Sequence, residues 1–183
     1  DVAADINGAT DITVTGTAGI TAAQATSLVN ATNRGNTTIA LVKGTAGDLA
    51  TLAGVMGAND TITAATPSSV LSVAQVVAVQ AKGVSLTAYS LSDTAANLAA
   101  ADVAVLNGAV NIALLAGSAT VAEATIIAGA SNSGTTTYAI ADTSSSVLGA
   151  TVSVLEGDSD DAIVVTEATM DAATATALTA FDA

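Results

Sequence analysis

A chain of 183 residues is long enough for one ordinary domain with a sizeable core, but this one must build that core from Ala, Val, Thr, Leu and Ile, because its only aromatics are Tyr89, Tyr138 and Phe181. Side chains of that size suit thin layers that stack and repeat, and disfavour a globule built around large anchors. Sixteen acidic residues against Arg34, Lys43 and Lys82 give a formal net charge of −13, which excludes nucleic acid and anionic membrane surfaces as partners, since both demand clustered cations.

Taken in chain order, β-prone runs alternate with capped, Ala-rich helical runs. Residues 12–15 form the first β-prone run, and Thr21 with Gln24 has the spacing of a capping box, in which each side chain satisfies an otherwise unpaired amide of the first helical turn. Gly35 follows as a left-handed helix terminator. The run 39–42 precedes Thr45, with Asp48 placed to favour the helix N-terminus. The run 61–64 precedes Ser72 and Gln75, a second capping box, closed by Gly83. The run 88–91 leads to Thr94 with Asn97, and 112–115 to Thr120 with Glu123, a third box, closed by Gly134. The last pairs are 138–141 with Thr143 and 163–165 with Thr169. Residues 103–122 are about as long and apolar as a membrane span, but Asn107, Gly108, Asn111 and Gly117 divide them into a helix end, a strand and a turn, so no membrane span is expected.

The spacing of these elements is the strongest signal. Ile12, Ile62 and Ile112 stand 50 residues apart in similar pentapeptides, and Ile163 lies 51 residues further on. Tyr-Ser-Leu-Ser-Asp-Thr at 89–94 returns as Tyr-Ala-Ile-Ala-Asp-Thr at 138–143, and Gly-Thr-Ala-Gly occurs at both 16–19 and 44–47, which halves the period to about 25 residues. The expected fold is an α/β tandem-repeat solenoid of about seven strand-helix coils, a parallel sheet backed by helices, forming a single array over 1–183. Its repeat units are 11–60, 61–110, 111–160 and a partial 161–183. A chain that opens on Asp1 without a leader reads as a mature or excised piece, and end coils with bare apolar layers predict self-association into filaments or coats.

Candidate chemistry is sparse. With no His, a Ser or Thr nucleophile has only Lys and carboxylates as bases, and with three Glu and few aromatics a glycosidase cleft is disfavoured. The Gly-rich segments lack the Lys and Gly spacing of phosphate loops, and read as strand-to-helix turns. Ordering of water by a flat Thr array is disfavoured because Thr13 and Thr15 make the one T-x-T pair seen in a strand run. No catalytic residue and no organic cofactor is expected. The best site is the acidic segment 156–161, in which Glu156, Asp158, Asp160 and Asp161 combine hard oxygen ligands with the bend at Gly157, as a calcium site requires.

Thr-Thr-Thr-Tyr-Ala-Ile-Ala-Asp-Thr at 135–143, with Val-Ala-Glu-Ala at 121–124 before it, resembles the Ala/Thr-rich tandem repeats of giant bacterial, notably cyanobacterial, cell-surface proteins. The resemblance implies an extracellular structural role as a stalk, filament or surface coat, with an adhesin that engages calcium or glycan through an exposed face as the alternative.

Overall fold

The computed structural model describes residues 7–32, 35–157, 163–167 and 169–179. It is a mixed α/β structure whose strands pair in parallel, and it divides into two compact units, 1–91 and 92–183. None of the sheets closes into a barrel among the described residues.

In the first unit, β1 (Ile12–Val14) and β2 (Ile20–Thr21) both pair with the long strand β3 (Thr37–Gly44), which pairs with β4 (Asp60–Pro67), and β4 with β5 (Ser85–Leu86). Helices α1 (Ala22–Val29), α2 (Ala46–Val55) and α3 (Val73–Gln80) follow β2, β3 and β4. The register stacks like on like: Val14 on Ile39, Ile39 on Ile62, and Val42 on Ala65. Thr37 and Ile39 of β3 are buried two residues apart, but Ile39 and Val42, and their partners Ile62 and Ala65 in β4, are buried three apart, so the two-residue alternation is broken at the same level in both strands. Leu49, Leu52 and Ala53 of α2 and Val79 of α3 close the core from the helix side.

The second unit repeats the scheme with shorter pieces. Strands β6 (Leu91–Asp93), β7 (Ile112–Leu114) and β8 (Thr136–Thr137) form one sheet, and β9 (Ala141–Asp142) pairs with β10 (Val164–Val165). The helices are α4 (Ala95–Ala99), α5 (Val103–Asn107), α6 (Val121–Ala128), α7 (Ser144–Gly149), α8 (Val152–Leu155) and α9 (Ala172–Thr179). Leu98, Ile112, Ile127, Tyr138 and Ile140 are its largest fully buried side chains together with Leu106. Residues 103–122 are indeed a helix, a strand and a turn, and among the described residues no helix is long and apolar enough to cross a membrane.

Helix starts follow the sequence closely. Thr21, Thr45, Ser72, Thr94, Thr120 and Thr143 are N-caps whose hydroxyls accept the amide three residues on. The three expected capping boxes are present, and Thr45 with Asp48 forms a fourth.

Four expectations are corrected. Thr169 does not open the last helix; α9 starts at Ala172, and Asp171 accepts the Thr174 amide at 2.8 Å. The strand placed at 88–91 begins only at Leu91, because Ala88 turns the chain with φ +53°. The strand placed at 138–141 is split into β8 and β9 around buried Tyr138. Gly83 has the left-handed φ of +75° expected after a helix, but Gly134 does not. Gly134 and Gly35 are instead points of close approach: a Cβ on Gly134 would stand 2.6 Å from the Val110 carbonyl oxygen, and one on Gly35 would meet the Thr10 carbonyl.

Side chains join segments one period apart. Asn7 and Asp11 accept the amides of Thr32 and Asn36 at 3.1 and 2.7 Å, and 100 residues later Asn107 and Asn111 accept those of Ser131 and Thr135 at 2.7 and 2.9 Å. Backbone partners in the sheets are separated in sequence by similar amounts, for example Ile12 with Thr37 and Ile112 with Thr136.

Candidate functional site

Of the expected calcium ligands, the structure places Glu156, while Asp158, Asp160 and Asp161 lie outside the described residues. Glu156 is exposed and is the C-cap of α8, so it stands at the helix end where peptide dipoles repel an anion. The segment leading into the acidic run is anchored. Buried Tyr138 donates its hydroxyl to the Val154 carbonyl at 2.8 Å, and its ring fills the space where any Cβ on Gly157 would go, with Cζ only 2.6 Å from that position. Gly157 is therefore required for contact with Tyr138, in addition to any bend it allows. Among the described residues no group of three or more metal-ligating side chains comes together.

A second carboxylate cluster was not anticipated from sequence. Asp142 accepts the amides of Thr143 and Val121 at 2.7 and 2.9 Å, and Glu167 accepts the amide and hydroxyl of Ser144 at 2.7 and 2.9 Å. The Thr143 amide chiefly, with help from Val121 and the hydroxyls of Ser146 and Thr143, outweighs desolvation and holds Asp142 below the usual carboxylate range. Burial works against ionisation of Glu167, and the charge of Asp142 adds to that, but the hydroxyl and amide of Ser144 prevail and its pKa is also lowered. Its second oxygen, Oε2, is buried without a hydrogen bond. A carboxylate so stabilised is a weak base, so the contact between Ser144 and Glu167 does not resemble an activated nucleophile. Val121 and Ser144 are the first residues of α6 and α7, and the pair clamps those helix starts from the following strand-helix segment. Ser69 does the same for Ala46 at the start of α2, at 2.9 Å, with a neutral hydroxyl.

The outward face of the first sheet corrects the reading of its threonines. Thr13, Thr38 and Thr61 are successive partners across β1, β3 and β4, so a Thr ladder does recur. Thr61 and Thr63 add a second T-x-T pair within β4. Further along, Lys43 lies between Thr21 and Thr66, and the hydroxyls of Thr66 and Thr87 are hydrogen-bonded at 2.8 Å. Inside the same unit, a void of about 10 Å³ is lined by apolar side chains such as Leu52, Met56 and Val79, which is about the space of a single water and offers it no polar partner.

No protein-family model matches the chain, and no curated protein or solved structure is similar to it.

Proposed function

We propose that the chain is a structural repeat segment of an extracellular filament, stalk or surface coat, and that it does no catalysis. In this reading it is a tandem array of about seven strand-helix coils of about 25 residues, of the kind found in Ala/Thr-rich surface proteins. The observation that carries the reading is the clamp of Asn7 and Asp11 on the segment 25 residues ahead and its return at Asn107 and Asn111 on the segment 24 residues ahead. Residues spent on joining one coil to the next supply length and lateral surface. Self-association end to end or side by side extends that surface.

The experiment is a pair of deletions, one in register and one out of it. Removing one whole unit, residues 62–111, is expected to leave a shorter folded array by circular dichroism, while removing residues 62–98, about one and a half coils, joins the start of β4 to the end of α4 and is expected to unfold it. Equal loss of structure in both would sink the array.

The second reading, an adhesin that engages glycan or calcium through an exposed face, is favoured by the Thr13, Thr38 and Thr61 ladder and by Glu156 at the repulsive end of α8. It requires saturable binding that substitution of Thr38 and Thr61 by Val abolishes.

A further inference from the structure

The asparagines fall into two groups, and the division follows the residues around them. Asn7, Asn107 and Asn111 accept backbone amides, Asn97 donates to Asp93 at 2.7 Å, and Asn132 donates to the Val110 carbonyl at 3.0 Å. Asn30, Asn36 and Asn59 are exposed, and among the described residues their side chains have no hydrogen-bond partner. These three, and no other asparagine of the chain, have Thr two places on: Asn30-Ala31-Thr32, Asn36-Thr37-Thr38 and Asn59-Asp60-Thr61.

Asn-X-Thr, with X other than Pro, is the acceptor triplet for N-linked glycans. In a chain so rich in Thr the triplet alone carries little. The weight lies in its coincidence with an idle, exposed amide at all three positions, while every other described asparagine is tied into the fold.

We propose that Asn30, Asn36 and Asn59 form an N-glycosylation surface on the first unit, with a polyprenyl-diphosphate-linked oligosaccharide as the donor. The Asn Nδ2 attacks C1 of the donor sugar, the bond from C1 to the diphosphate oxygen breaks, the lipid diphosphate leaves with that electron pair, and Nδ2 gives up one proton. The inference rests on the extracellular reading, since such donors serve chains on their way out of the cytoplasm.

Geometry sets the stoichiometry. The carbonyls of Asn36 and Asn59 accept the amides of Ile12 and Thr37 at 2.9 and 3.1 Å, so the two hold equivalent places just ahead of β3 and β4. Neighbouring strands lie about 4.8 Å apart, and a glycan on either residue obstructs the other. Asn30 caps the C-terminus of α1. Two glycans per chain are expected, one at Asn30 and one shared between Asn36 and Asn59.

Charge supplies a reason for the placement. Residues 1–91 carry five acidic residues (Asp1, Asp5, Asp11, Asp48, Asp60) against all three basic ones, a net of −2, whereas 92–183 carry eleven acidic residues and no basic one, a net of −11. A neutral hydrated polymer gives the first unit the solubility that charge gives the second.

The test secretes the full chain, behind a signal sequence, from a host that makes lipid-linked oligosaccharide, and measures intact mass before and after peptide-N-glycosidase. Asn30→Gln is expected to remove one glycan, Asn36→Gln to leave the count unchanged with Asn59 fully occupied, and Asn36→Gln with Asn59→Gln to remove the other. A secreted chain that is bare, or whose glycans persist in the triple Gln variant, overturns the proposal. Location is measured separately, by protease treatment of intact source cells: a chain that is glycosylated in the secretion host but protected in source cells overturns the extracellular reading while the three acceptor sites stand.

Discussion

Replacing Asn111 with Ala removes one acceptor that serves two donors, the Thr135 amide at 2.9 Å and the Thr135 hydroxyl at 3.1 Å. A net hydrogen bond contributes about 0.5–1.5 kcal/mol. Asn111 and Thr135 are both exposed, so water can take over part of the loss, no apolar packing is forfeited, and the cost is expected at about 1–2 kcal/mol. For a chain of this length that is a fall of roughly 2–8 °C in melting temperature. Asp11→Ala, which frees the Asn36 amide in the first unit, is expected to cost a similar amount. Asn59→Ala removes an amide with no partner among the described residues and is expected to stay within about 0.5 kcal/mol of the parent. All three are compared by urea and thermal unfolding, in unglycosylated protein from a bacterial host. If Asn111→Ala and Asn59→Ala melt together, the side-chain clamps do not join successive segments and the division of the asparagines loses its meaning.

Acid is expected to loosen 92–183 before 1–91. Asp142 and Glu167 have lowered pKa values in the folded chain, so their stabilisation is complete above the ordinary carboxylate range, near pH 4, and is lost as pH falls through the folded values; the Ser69 clamp does not titrate. Tyrosine fluorescence reports each unit separately, Tyr138 in a Tyr89→Phe variant and Tyr89 in a Tyr138→Phe variant, and simultaneous acid transitions would refute the assignment. Gly54→Ala, in α2 with open space around its Cβ position, is expected to stabilise by about 0.5–1 kcal/mol, whereas Gly134→Ala drives a Cβ into the Val110 carbonyl and is expected to destabilise by about 1–3 kcal/mol; denaturant midpoints of opposite sign check the pair. Millimolar calcium at a site of ~0.1 mM affinity adds on the order of 1.4 kcal/mol, a rise of a few degrees in melting temperature that Asp158→Asn with Asp160→Asn is expected to abolish. An equal rise with sodium chloride at matched ionic strength would reduce the effect to screening.

Helix starts were legible because a cap is a local device. The hydroxyl, the N3 partner and the apolar run after them all lie within a few residues, and six of the seven caps read from sequence hold in the structure. Strand ends were less legible, because a two-residue or three-residue strand is set by its neighbour's register more than by its own composition. Thr38 escaped notice as a rung for that reason: β3 begins at Thr37, two residues before its β-branched centre suggested. The joints between segments depend on residues 24 or 25 positions apart, which no local pattern reports. They did leave a trace, since Asn7 and Asp11 recur as Asn107 and Asn111, and Gly35 as Gly134, at close to twice the 50-residue unit. Asp142 is the counterpart of Asp93 in the repeated Asp-Thr pair, and each accepts the amide of the Thr that follows it, but the reach of Asp142 to Val121 and of Glu167 to Ser144 left no trace, because each acts there on a helix whose sequence does not contain it.

How a unit with eleven acidic residues and no basic one holds together follows from where those residues stand. Asp93, Asp102, Glu123, Asp142, Glu167 and Asp171 each accept a backbone amide in the opening turn of a helix or at its cap. Helix N-termini present unpaired amides and the positive end of the peptide dipoles, so each carboxylate finds partial positive charge in the backbone and needs no Lys or Arg. The one lysine of the first unit bonded to a helix end obeys the same logic in reverse, with Lys82 Nζ donating to the carbonyl of Met56, the C-cap of α2, at 2.8 Å. A fold of many short helices multiplies such ends, so the acids of the second unit are carried at little electrostatic cost. Glu156 departs from that rule among the described residues of the second unit by standing at a helix C-terminus, where the peptide dipoles repel its charge instead of offsetting it.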